Sequence, residues 1–537
     1  MSWPLTFASV TLRQALDTTG KRELDQKLCT SAEAAAIVPD GATIACGGFV
    51  GAAHPEGLSA AIEKRFLAEG FPRDLTLVYA AGQGDGKERG LNHFGHPQLV
   101  RRVIGGHWGL VPKLGQLAIE NKIEAYNFPQ GVICQLLRDI AAGRPGCLTR
   151  VGLGTFIDPE RDGGRLNSAA VESLILRVTI EGQDWLLYKS FPVHIGLIRA
   201  SVADIHGNLG MDEEAIVGEV LPIAQAVHNS GGQVIAQVQR IIDRSLDPMR
   251  VRVPGCLVDR IVIADPHEHE QTFAETLNRS YFEPMPADGL DGITAPIDVC
   301  ANIARRIIAE RACDELKTGD IANLGIGMPE GIAQIAAERG LLRPVTLTLE
   351  SGPIGGMPAA GLSFGASVHP QAIIDQPSQF DFYDGGGLDF AAIGAAEIDH
   401  DGSVNVSRFG TRLAGVGGFV NITQAARRLV FCGTETSGGL EVQLENGQLR
   451  ILREGAVRKC VARVQHLSFN GQRERDTGRE ILYVTERAVF RLTRAGLELT
   501  EIAPGIDLQR DLLDQMDFRP IIRDPDNLSW MRMPNRL

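Results

Sequence analysis

At 537 residues the chain is long enough for two or more domains, each with its own core, and its 44% apolar and 22% charged residues are the balance of a globular protein. A net charge of −13 without any basic run argues against nucleic acid and anionic membrane surfaces as partners. No apolar run reaches the length of a membrane span, and nine widely spaced cysteines without a C-x-x-C point to reduced thiols in a cytoplasmic setting and no zinc site.

Residues 1–26 read as a polar leader without a secretory signal. Thr30 or Ser31 can cap a short helix over Ala32–Val38. Pro39-Asp40-Gly41 turns into a strand, Ala42–Cys46, followed by Gly47-Gly48-Phe49 and a helix opened by His54-Pro55-Glu56-Gly57. The next strand, Leu75–Tyr79, ends in Ala80-Ala81-Gly82. The same order returns: strand Ile321–Leu324, then Gly325-Ile326-Gly327, a helix opened by Met328-Pro329-Glu330-Gly331, and strand Val345–Leu349 ending in Glu350-Ser351-Gly352. Asp204-Ile205-His206-Gly207 resembles Asp399-His400-Asp401-Gly402, and Gln233–Ala236 resembles Leu429–Cys432.

The chain therefore reads as two homologous halves, 27–283 and 298–520, joined by a Pro/Gly-rich linker at 284–297 and followed by a tail, 521–537. Alternating strands and helices predict two open α/β domains with largely parallel sheets. Gly82 to Gly207 spans 125 positions and Gly352 to Gly402 only 50, so the first half carries an insertion of about 75 residues. After Leu440, Val442–Leu444, Leu449–Leu452, Ile481–Thr485 and Val489–Leu492 predict an antiparallel extension, and Ile506–Met516 a terminal helix.

One residue breaks the symmetry: Glu350, where the first half has Ala80. Glu350 is the first charge after an apolar strand, at the sheet edge where open α/β folds bind ligands. It reads either as a nucleophile set among glycine loops or as a strand-end acid in a surface ion pair. Gly325-x-Gly327-x-x-x-Gly331, with Glu350 trailing 23 residues after Gly327, imitates a dinucleotide fingerprint. An NAD-linked oxidoreductase is therefore the rival reading, although its spacing is off by one and Pro329 displaces the helix start. His267-Glu268-His269 lacks metal-ligand spacing and reads as a solvated loop, so no metal is expected.

Glu350-Ser351-Gly352-Pro353-Ile354-Gly355-Gly356, Asp384-Gly385-Gly386-Gly387-Leu388-Asp389, Ala414-Gly415-Val416-Gly417-Gly418-Phe419 and Val151–Pro159 together resemble the family I coenzyme A transferases, nearest their single-chain acetate or propionate branch. The resemblance covers residues 28–520 and implies an active site between the two domains, with Glu350 as nucleophile. It implies an oxyanion hole from the Gln130 side chain in Pro129-Gln130-Gly131 and the Gly418 backbone. CoA contacts are expected at Gly325, Gly327, Gly386, Asp389 and Gly417. Coenzyme A, acyl-CoA and short-chain carboxylates would be substrates, with no tightly bound cofactor, in a cytoplasmic homo-oligomer. Ser351 stands where other branches carry Asn, so their oxo-acid specificity does not transfer. On the residues alone, Gln130 is equally an ordinary turn residue, and Gly325 and Gly327 a tight β-α turn. A non-catalytic acyl-CoA-binding protein is the other alternative.

Overall fold

The computed structural model describes residues 24–285, 300–525 and 528–534. The expected leader lies outside them up to residue 23, and so does the linker from residue 286 onward. The Thr30 cap forms a reciprocal box with Glu33 and starts α1 (Ser31–Ala36), slightly earlier than the sequence suggests.

The first half is built on seven parallel strands: β1 (Thr43–Cys46), β2 (Leu75–Tyr79), β3 (Val100–Gly105), β4 (Glu124–Asn127), β5 (Ile195–Ala203), β6 (Gln233–Ile241) and β7 (Arg260–Ile263). Their spatial order is β7-β6-β5-β1-β2-β3-β4. β1, β2 and β5 are buried at every position, which is why they read as apolar or small-residue runs, interrupted in β5 by Arg199, which is paired with the buried Glu214. The second half has β8 (Ile321–Leu324), β9 (Thr346–Thr348), β10 (Phe390–Gly394), β11 (Arg428–Cys432) and β12 (Glu480–Val484), ordered β12-β11-β10-β8-β9 and all parallel. Five strands thus share one order in both halves.

Register supports the repeat as well. Thr76 pairs with Thr43 and Thr346 with Ile321, and four residues further on stand Ala80 and Glu350. Asp204 and Asp399 each accept backbone N–H groups from the turn that follows, closed by Gly207 and Gly402 at φ +76° and +75°. The insertion in the first half comprises β3, β4, a helix α2 (Gln130–Ala141) and a three-stranded antiparallel sheet (Gly146–Thr149, Ile175–Ile180, Gln183–Lys189).

Two expectations need correction. Glu480–Val484 is not part of the antiparallel extension; it is the fifth parallel strand, Ala488–Thr493 runs antiparallel beside it, and Gly496–Ile502 turns back antiparallel to Ala488–Thr493. The terminal helix is instead a π-helical turn, Leu508–Leu512, followed by a 3₁₀ turn, Leu513–Gln515. The apolar run there fits a helix, but Asp507 caps it and its buried residues end at Leu512.

The halves are joined through the Ala414–Gly418 loop. Trp108 and Gly109 N–H donate to Ala414 O (2.7 and 3.0 Å), Gly417 N–H to Gly106 O (2.7 Å), and Gln130 N–H to Gly417 O (2.9 Å). Asn127, fully buried at the end of β4, completes the seam: its amide donates to the Gly105 and Gly106 carbonyls, and its oxygen accepts Val416 N–H (3.0 Å). A carboxylate cannot replace an amide that must donate twice. Asn127→Asp is expected to lose at least about 2 kcal/mol of stability, read as a lowered melting temperature, while Asn421→Asp at the neighbouring seam is a matched comparison.

Candidate active site

Glu350 lies two residues past β9, at the C-terminal edge of the second sheet. Its strand end is pinned from beneath. Thr348 Oγ1 donates to Ala322 O (3.0 Å), Tyr383 OH donates to Thr348 Oγ1 (2.8 Å), and Asn323 Nδ2 reaches Thr348 O (3.2 Å). Ser351 Oγ donates to Gly365 O (2.5 Å), and Gly352, at φ +119°, sits where a Cβ would strike the Ile374 carbonyl. These bonds fix the direction in which the carboxylate leaves the strand.

The side chain is 7% exposed, so the surface ion-pair reading fails. Burial pushes its pKa up to about 7, opposed by its own backbone N–H and by the Asn323 amide. Oε2 has no hydrogen-bond partner among the described residues. The carboxyl therefore titrates near neutrality rather than in the usual carboxylate range, and greater basicity makes its ionised form the stronger nucleophile.

Opposite stands the Ala414–Gly418 loop. A Cβ on Gly418 would lie 3.0 Å from Glu350 Cγ and 3.4 Å from Oε1, so the backbone approaches the carboxylate as closely as a glycine allows. Gln130 opens α2 directly behind Pro129, buried, and its Nε2 also lacks a partner. Gly417, at φ +52°, is in contact range of Gln130 Oε1. Glu350, Gln130, Gly418, Gly417 and Gly325 line one cavity of about 350 Å³ to which both halves contribute.

Not every expected residue is brought there. Gly327 keeps the left-handed turn (φ +86°) of the same loop as Gly325. Gly386 follows the helix Gln376–Asp384, and Asp389 binds Ile321 N–H and Arg427 at the start of β8 and β10. That is the opposite edge of the sheet from Glu350. The Val151–Pro159 stretch is also a seam: Gly152 N–H donates to Gln424, and Phe156 N–H to Leu467 O. His269 is not solvated but buried against Glu214 and Gln237.

Sequence reasoning missed most of the lining, including His107, Lys459, Val50 and Phe364. His107, next to Gly82, is half-buried and desolvation pushes it down to about pKa 4, so it stays neutral. Asn323, beneath the site, carried the one available signal: a lone amide inside an apolar strand.

Residues 29–264 match the coenzyme A transferase family. Over 492 residues the chain is 40% identical to acetate CoA-transferase YdiF of Escherichia coli K12, covering 91% of this chain and 92% of that protein. The chain belongs to the coenzyme A transferase family. It is also 41% identical over 503 residues to caffeate CoA-transferase of Acetobacterium woodii, covering 92% and 95% of the two chains. The crystal structure of YdiF from E. coli O157:H7 as a thioester complex with CoA superposes with a TM-score of 0.87 at 38% identity, over 94% and 95% of the chains. The enzyme is thus a CoA-transferase of two α/β halves. The dinucleotide reading is not favoured: its Gly325 loop lines the same cavity as Glu350.

A buried acid whose pKa is raised favours the protonated form. Its stabilising effect is full below the unfolded value near 4.5 and is lost as pH rises through about 7. Glu350→Gln is therefore expected to be more stable than the parent at pH 8, by about 3 kcal/mol. The gap should close near pH 5, as read by thermal melting at both pH values.

Proposed function

We propose that the enzyme transfers CoA from a short-chain acyl-CoA to a free short-chain carboxylate of the acetate, propionate or butyrate type, through a covalent glutamyl-CoA at Glu350. One observation carries this: a buried carboxylate oxygen and a buried amide N–H, both without partners, line the same small cavity. An acceptor and a donor left open side by side suit a carbonyl group that is attacked at carbon and held at oxygen.

The steps balance without an outside base. A Glu350 oxygen attacks the thioester carbonyl carbon, the C–S bond breaks, and an acyl-glutamyl anhydride and CoA thiolate result. The thiolate attacks the glutamyl carbonyl, releasing the first acid as its carboxylate and leaving a glutamyl-CoA thioester. The second acid attacks that thioester carbonyl, and the thiolate then attacks the new acyl carbonyl, giving acyl-CoA and free Glu350. The thioester's energy is kept throughout.

Each addition puts negative charge on a carbonyl oxygen. The Gln130 amide and the Gly418 N–H are the donors assigned to it, and Gly325 and Gly417 are assigned to the CoA arm. The identities with acetate and caffeate CoA-transferases support a monocarboxylate acceptor. A cytoplasmic homo-oligomer without a tightly bound cofactor belongs to this reading on family resemblance.

The test is peptide mass spectrometry after incubation with acetyl-CoA and no acceptor. A CoA adduct is expected on the Glu350 peptide and absent from Glu350→Gln. Gln130→Ala should retain the adduct but lower kcat about a hundredfold, and the acid limb of the kcat/KM profile should have its midpoint near pH 7.

A further inference from the structure

The cavity has two unlike ends. Along the second sheet its wall is a row of strand ends: Gly325-Ile326 after β8, Gly394 closing β10, and Cys432-Gly433 where β11 ends. β11 lies three strand spacings from β9, roughly 14 Å from the strand that presents Glu350. At that far end stands Lys459, whose ammonium would lie 3.7 Å from a Cβ on Gly433. Ile326 along this arm is 45% exposed. The other end lies on the outer side of β9. There Phe49, Val50, Ala81 and Phe364 are all buried, and the Phe49 and Phe364 rings pack at a tilt with centroids 6.0 Å apart.

CoA is long and ends in phosphates, so its arm requires the open side that reaches a cation. The acyl group is then left facing the closed end. The residues named there are apolar, and among the described residues that line the cavity Glu350 is the charge bordering that end; His107, beside Gly82, is polar but neutral. A second carboxylate on the acyl chain would be buried there unpaired.

Val50 is the unusual member of this wall. It holds φ +52°, a region a β-branched residue rarely adopts. The surroundings enforce it. Phe49 and Ala52 exchange backbone hydrogen bonds (2.9 and 2.8 Å), Gly84 N–H donates to Val50 O (3.0 Å), and a Cβ on Gly51 would strike Leu362 O. A glycine would satisfy this backbone without strain. An isopropyl group kept at a conformational cost, inside a cavity wall, calls for a role of its side chain.

We propose that Val50, with Phe49 and Phe364, closes the acyl end of the cavity and restricts the enzyme to small, unbranched monocarboxylic acyl groups. The inference rests on Glu350 being the nucleophile. It is tested by kcat/KM for acetate, hexanoate, 3-phenylpropanoate and succinate as acceptors from acetyl-CoA, in the parent, Val50→Gly and Phe364→Leu. The expected result is a rise of about tenfold or more in the hexanoate-to-acetate and phenylpropanoate-to-acetate ratios in both variants, with succinate poor throughout. Val50→Gly should not melt below the parent. Unchanged ratios in both variants, while the Glu350 peptide still takes up CoA, overturn the proposal. So does an equal rise in KM for every acyl-CoA, which would put Val50 on the CoA arm. Failure of the parent to form the Glu350 adduct is a different outcome: it removes the functional reading and this inference with it.

Discussion

The structure depends on a backbone seam between loops of the two halves. Gly417 both donates to Gly106 and accepts from Gln130, within two consecutive peptide units of Gly418. This places the amide from one half and the carboxylate from the other without either side chain holding the other. A side chain contact would have satisfied Gln130 Nε2 and Glu350 Oε2 and removed them from chemistry; the backbone does the joining instead, and both remain open. The glycines are required because peptide groups meet there at distances that leave no space for a Cβ: on Gly415 it would press on Trp108, and on Gly418 on Glu350.

The same closure explains the basicity of Glu350. Burial strips Glu350 of solvent, and among the described residues no cation stands next to it to offset the loss; Lys459 lies at the far end of the cavity, where Glu435 and Glu486 face it. Raising a carboxylate's pKa costs stability and leaves part of the population protonated at neutral pH. In exchange the ionised form is more reactive, and the anhydride and thioester proposed to form on it would be shielded from hydrolysis. Asn323 moderates the shift by favouring the charged form, so the carboxylate is held between full desolvation and full solvation.

Much of this was readable before any coordinates. Buried parallel strands appear as short apolar runs ended by Gly or Pro, so β1, β2, β8 and β9 and the repeat they share were legible. Glu350 was legible because a charge follows such a run. What the sequence conceals is which edge of a sheet a glycine cluster occupies. Gly385-Gly386-Gly387 and Gly415-Val416-Gly417-Gly418 look alike, yet the first ends a helix before a strand begins and the second lies at the cavity. Nor does sequence report φ, so Val50 looks like any apolar residue between glycines. Lys459 and His107 reach the cavity through pairings of distant segments, and no local pattern marks them. Glu480–Val484 was misread because its antiparallel neighbours follow within a few residues, whereas its parallel partner precedes it by about 50.

Why only one half carries a strand-end glutamate follows from the insertion. Ala80 occupies in the first sheet the register position of Glu350 in the second. Beyond β2, however, the first sheet continues into β3 and β4, and the turn after β3 runs directly across the end of β2: a Cβ on Gly106 would collide with the Ala80 carbonyl, and one on Gly82 with the His107 ring. A glutamate at position 80 would have no room. The segment that occupies this space leads through β4 to Pro129 and Gln130. In the second half the chain leaves β9 by an antiparallel turn, Pro353–Ile354, and the strand end stays clear. The inserted segment thus fills the matching position in one half and brings Gln130 into the cavity that Glu350 lines from the other, so two similar folds form unlike walls of a single cavity, one carrying the proposed nucleophile and the other the proposed oxyanion donor.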